Sequence, residues 1–115
     1  MSTRGQISFN HGKQRYALIY VHCDMYPDGE HGGPARLQRF FKEVQKQTKD
    51  TRFNCAEYLA AKFVVWQAAQ YAKDKNKPLE FLFLGVTTKE HGDIEFLYTV
   101  DCDKMDENGF PTVTW

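Results

Sequence analysis

The sequence lacks net charge: 15 Lys and Arg balance 15 Asp and Glu. That balance excludes the dominant cationic field of a nucleic-acid binder, so nucleic acid is not an expected partner. Cysteine is scarce. Cys23, Cys55 and Cys102 are odd in number, and no pair shows Cys-x-x-Cys spacing. Neither a disulfide framework nor a zinc ribbon fits such a set, and reduced thiols in a cytosol are the simplest account. No apolar run approaches the roughly 20 residues of a membrane span, so no membrane partner is expected. The opening Met1-Ser2-Thr3-Arg4-Gly5-Gln6 has no apolar stretch, and no secretory signal is expected. The expected location is cytoplasmic.

Aromatic residues are plentiful. Nine Phe, six Tyr and two Trp occur in 115 residues, and 42% of the chain is hydrophobic. One packed domain over residues 1–115 is expected, with some rings left near the surface for recognition. Charge is unevenly placed. Residues 36–52 hold six Lys or Arg against Glu43 and Asp50, and residues 101–107 hold four acids against Lys104. Both read as solvated faces.

Periodicity gives the elements. Ile7 and Phe9 alternate in a strand over 4–10, and the apolar run 14–22 reads as a central strand joined to it by a hairpin. Residues 23–33 are loop, broken by Pro27, Gly29, Gly32 and Gly33. Leu37, Phe40, Phe41 and Val44 predict a helix over 34–48, with Pro34 at its first turn. Asn54 and Glu57 form a capping-box pattern before a core helix over 55–73, which Asn76-Lys77-Pro78 stops. Strands follow at 79–86, 93–101 and 111–115, with a turn at Asn108-Gly109. The order ββααβββ with short links predicts an α+β fold. Its five-stranded sheet should be antiparallel, with two helices on one face.

Chemistry-bearing residues gather in the turns. His11, His22, His31 and His91 all lie there or at strand ends. His22 and Asp24, and His91 and Asp93, are spaced by two, which puts each pair on one face of an extended chain. Such pairs bind a divalent ion, act as base and orienter, or simply cap turns. No His-Glu-x-x-His or Cys/His finger is present. Arg4 could fork onto an anion or pair with Asp24 or Asp93. Tyr26 packs on the sheet edge or offers a stacking platform. The glycines before Pro34 give a weak anion-binding signal, without GxGxxG or the Walker pattern. The acidic 101–107 segment does not fit a calcium loop and reads as a hairpin. Cys23 reads as a free buried thiol before a nucleophile.

Several short motifs recur in order as in a known family. Ser2-Thr3-Arg4, then Tyr20-Val21-His22-Cys23-Asp24-Met25-Tyr26-Pro27, then Tyr58-Leu59-Ala60-Ala61, then His91-Gly92-Asp93-Ile94-Glu95-Phe96-Leu97-Tyr98 make the match. The chain resembles a family of small uncharacterised proteins of phages, prophages and bacteria, over most of its length to about residue 100. Met25 stands where that pattern has glycine. The resemblance implies context more than mechanism. By analogy, small phage-type proteins often inhibit host or defence machinery, as anti-CRISPR proteins do.

The sequence therefore points first to a binding protein that inhibits or titrates a host or defence factor, or binds a small anionic ligand. Arg4, His22, Asp24, Tyr26, His31, His91 and Asp93 are its candidate contact residues. No cofactor is expected. The competing reading is a metal-assisted hydrolase of a nucleotide or phosphoester, with His22, Asp24, His31 and Asp93 as ligands. Nucleic-acid mimicry by the acidic lobe, or binding by the basic first helix, is a third. Homo-oligomerisation is open at the final strand.

Overall fold

A computed structural model describes residues 3–80 and 82–115. Ser2 of the first motif and Phe81 of the predicted third strand lie outside those residues. Strands β1 (Gly5–His11) and β2 (Gln14–Val21) form the expected hairpin, closed at Gly12 with φ 62°. Helices α1 (Gly33–Gln47) and α2 (Ala56–Tyr71) follow, then β3 (Leu84–Thr87), β4 (Phe96–Met105) and β5 (Pro111–Thr114).

Alternation decides which side chains enter the core. Ile7, Phe9, Ile19, Val21, Tyr98 and Val100 share one face of the sheet. They pack against Leu37, Phe40 and Phe41 of α1 and Leu59 and Phe63 of α2, so both helices cover that face. Phe40 and Phe63 meet edge to face at 5.3 Å. Each such ring, fully buried, contributes roughly 1.5–3 kcal/mol.

The sheet corrects one expectation. Its order is β3-β2-β1-β4-β5, and β1 pairs with β4 in parallel. The sheet is mixed, not antiparallel throughout. A parallel pair ordinarily needs a crossover of about a dozen residues, so the short link after the third strand argued the other way. Residues 88–95 manage the step as an irregular link with bends at 88–89 and a turn at 92–93. Register puts Thr87 level with Thr99, so the link must reach back along the sheet and over three strand spacings. That is a span of about 17 Å from standard spacings, well within the reach of eight residues at about 3.3 Å each. Gln6, which points away from the helices, bonds to Thr87, Lys89 and His91. The link therefore lies over the face that the helices leave bare.

Element ends differ in detail. The third strand starts at Leu84, because residues 78–80 turn and Glu80 N–H donates to Lys77 O at 3.2 Å. The fourth starts at Phe96 and runs on to Met105, since the crossover occupies the residues before it. The capping box does not form. The N-cap of α2 is Cys55 without a side-chain cap bond, which moves Glu57 into the first turn, where its charge suits the helix dipole. The Asn108-Gly109 turn forms as expected, with Gly109 at φ 78°. Position 25 needs no glycine because Asp24 takes the left-handed conformation, φ 61°, and Met25 is buried.

The glycines before α1 serve packing rather than an anion. A Cβ on Gly33 would lie 2.6 Å from the Tyr98 ring, and one on Gly32 2.4 Å from Tyr26 O. The N–H groups of Gly33 and Arg36 are already taken, by Tyr26 O and Gly32 O, and Pro34 has none.

Tyr98 is fully buried and donates to Met25 O. Burial pushes its phenol from 10.0 up to about 12, and pushes the Cys102 thiol from 9.0 up to about 12. A raised folded-state value stabilises the fold fully below the unfolded value and loses that contribution as pH rises through the folded one. The urea midpoint is therefore expected to fall as pH rises from 10 to 12. Tyr98→Phe should be less stable at neutral pH and decline less steeply in that window. An equal alkaline decline in both proteins would refute this assignment.

Candidate functional site

The sheet face away from the helices carries Gln6 and Ser8 from β1, and Leu18 and Tyr20 from β2. Arg4 and His22 extend the same alternation beyond the strand ends. Gln6 is fully buried beneath the crossover. Its Nε2 donates to Thr87 Oγ1 at 2.8 Å and Lys89 O at 3.2 Å, and its Oε1 accepts from His91 N–H at 2.8 Å. One amide thus ties two points of the crossover to the last residue of β3. Arg15 adds a second tie: its Nε donates to Ser8 Oγ at 2.8 Å, and it reaches Glu90 at 3.4 Å.

That support positions a surface cluster. The His91 ring stacks on Tyr20 with centroids 4.4 Å apart and planes at 23°. The Tyr20 hydroxyl donates to Asp93 Oδ2 at 3.4 Å. Arg4 Nε lies 3.5 Å from the same oxygen, and His91 Nδ1 lies 3.8 Å from Asp93 Oδ1. His22 also lies near Tyr20, with centroids 6.3 Å apart, and near Phe83 at 6.5 Å. The imidazoles of His22 and His91 are therefore both neighbours of one phenol. Burial and then the Asp93 carboxylate raise the Tyr20 phenol above its ordinary value, so it remains a neutral donor. The Arg4 and Asp93 side chains are 40% and 51% exposed, which leaves their pair about 0–1 kcal/mol of fold stability. The cluster can present a cation, a carboxylate and ring faces to a partner.

The other expected residues lie elsewhere. Asp24, Tyr26 and His31 belong to the loop before α1. Asp24 is exposed, Tyr26 is half-buried, and His31 is exposed beside Glu30 at 3.4 Å. Among the described residues, no hydrogen bond, ion pair or ring contact joins these three to Arg4, His22, His91 or Asp93. This loop is held by Arg36, which is only 5% exposed. Its Nη1 donates to the Tyr71 hydroxyl at 3.3 Å, and its Nη2 faces the carbonyls of Cys23, Asp24 and His31 at 3.3, 3.4 and 3.5 Å. Arg36 is thus no part of a solvated basic face.

No three His, Cys, Asp or Glu side chains gather where one metal ion could be held, among the described residues. The ligand set His22, Asp24, His31 and Asp93 is not assembled. Cys23 is half-buried and free, with Sγ 4.0 Å from the Tyr71 hydroxyl. Burial pushes that phenol up to about 12, so it is a poor base for a thiol. A groove of about 450 Å³ runs between α1 and α2, lined by Phe40, Val44, Val65 and Trp66. It lies on the helical side, and Glu43, Gln47, Thr48, Lys62 and Gln70 line it beside those apolar side chains.

Sequence reasoning missed Tyr20, Gln6 and Arg36. Tyr20 and Gln6 were accessible: each stands two residues from a chosen residue on a strand, and hence on its face. Arg36 carried no such signal. Compared with known proteins, the chain matches no family model, no curated protein and no solved structure.

Proposed function

We propose that the chain is a small binding protein that occupies a partner rather than turning over a substrate. Its contact surface is the patch of Arg4, Tyr20, His22, His91 and Asp93. One observation carries this reading: a fully buried amide, Gln6, holds an eight-residue crossover so that His91 and Asp93 meet Tyr20 and Arg4 at an exposed spot. The exposed contacts add little to stability, so the arrangement suits recognition better than fold maintenance. By analogy with small phage-type proteins, the partner class is a host or defence protein, which the chain inhibits or titrates. A small anionic ligand at Arg4 is the variant of the same idea.

The test is competitive capture from host lysate with isotope-coded wild type and the double variant Arg4→Ala, Asp93→Ala. A partner enriched at least about tenfold by the wild type alone supports the assignment, a loss typical of central contact residues. Equal capture by both proteins, with both folded by circular dichroism, overturns it.

A further inference from the structure

We propose that two copies of this chain pair antiparallel through the outer edge of β3. Strand β3 ends the sheet, and β2 occupies only its inner side. His22 N–H donates to Phe83 O at 3.2 Å. In an antiparallel ladder the bonded residues alternate, so Gly85 and Thr87 also turn their N–H and C=O groups toward β2. Leu84 and Val86 then turn theirs outward. Those four backbone groups have no partner among the described residues.

The edge is short, four residues, but carries no other usual guard. From Leu82 to Thr88 the chain has neither charge nor proline, and Val86 is 78% exposed. Natural edges of this kind are blunted by Lys, Pro or a bulge. The opposite edge, β5, begins with Pro111, and the β4–β5 pairing is broken by an irregularity between Asp101 and Met105. Gly85 at the middle of β3 has no reason within the chain. Its φ is not in the left-handed region, and a Cβ there would meet Tyr20 and Thr87 at an ordinary 3.6 and 3.8 Å. Glycine inside a strand commonly marks the close approach of another backbone.

A second copy satisfies all of this at once. With a two-fold axis at Gly85, Leu84 of one copy sits opposite Val86 of the other, and the reverse. Each copy's four outward groups are then bonded. The two glycines face each other at the closely spaced position, about 4.5 Å between Cα atoms, where the absence of side chains removes any clash. Leu84 and Val86 form an apolar pair across the axis on each side. No charges oppose one another, because the strand has none.

Sedimentation velocity over a concentration series tests the proposal. The weight-average mass is expected to rise from 13.4 kDa toward twice that between low and high micromolar protein. Val86→Lys should stay at the single-chain mass throughout, with the wild type's thermal midpoint at concentrations where both are single chains, and Val86→Thr should still associate. A wild type that stays at single-chain mass at every concentration overturns the proposal and leaves the edge to some other strand. So does a dimer that Val86→Lys leaves intact.

Discussion

Replacing Arg36 by Met lowers the unfolding free energy by about 3 kcal/mol, the cost of leaving several buried polar groups without partners. The argument rests on what the guanidinium touches. It donates to three carbonyls and one hydroxyl, spread over the 22–32 loop and the end of α2. A buried ion pair can be replaced by apolar residues because both partners go together. Here three of the partners are backbone and stay behind. Arg36→Lys should recover little, since one ammonium cannot reproduce a planar fork serving several acceptors. For a domain of this size the loss corresponds to a fall of about 12 °C in thermal midpoint. Limited proteolysis adds a local readout: cleavage within 22–32 should precede global unfolding. Thermal midpoints for Arg36→Met and wild type that agree would show that the loop is held by other contacts.

Gln6→Leu gives the second large effect, about 2–3 kcal/mol, because its amide is the main tie beneath the crossover. Leu fills similar space but leaves Lys89 O and His91 N–H without their partner. The consequence goes beyond stability. With the tie removed, His91 and Asp93 lose their fixed position over Tyr20, although every exposed residue of the patch is still present. Amide exchange at His91 should accelerate by about two orders of magnitude, matching the local free energy removed. Partner capture should weaken in parallel. Slow exchange at His91 in this variant would mean that Arg15 and Glu90 alone hold the crossover, and that Gln6 is ordinary filling.

These two residues also show where the sequence stopped being readable. The helices and the first hairpin follow from periodicity, since Leu37, Phe40, Phe41 and Val44 can share a face only on a helix. The Asn108-Gly109 turn follows from local conformational preference. Strand direction is different. Alternation in residues 96–100 states which side chains are buried, but it is the same for a parallel and an antiparallel neighbour. The mixed sheet was therefore hidden in the length and path of one link. The site divided along the same line. His22 lies beside Tyr20 because strand faces are periodic, and His91 joins them only because Gln6 holds the crossover there. Asp24, Tyr26 and His31 went elsewhere because a loop follows its anchors, and Arg36 resembles any other cation of a basic helix when read in one dimension.

The parallel pairing of β1 with β4 sets an order on folding. The first strand is central, yet one of its two neighbours is encoded near the far end, where Gly5 meets Phe96. As the chain leaves a ribosome, the hairpin and both helices can form while that flank of Ile7 and Phe9 stays uncovered. Late closure of such distant pairings is slow and exposes a strand edge to misassociation. Nascent chains stalled before residue 96 should thus depend on a chaperone that shields an open sheet, and release from it should coincide with emergence of the fourth strand.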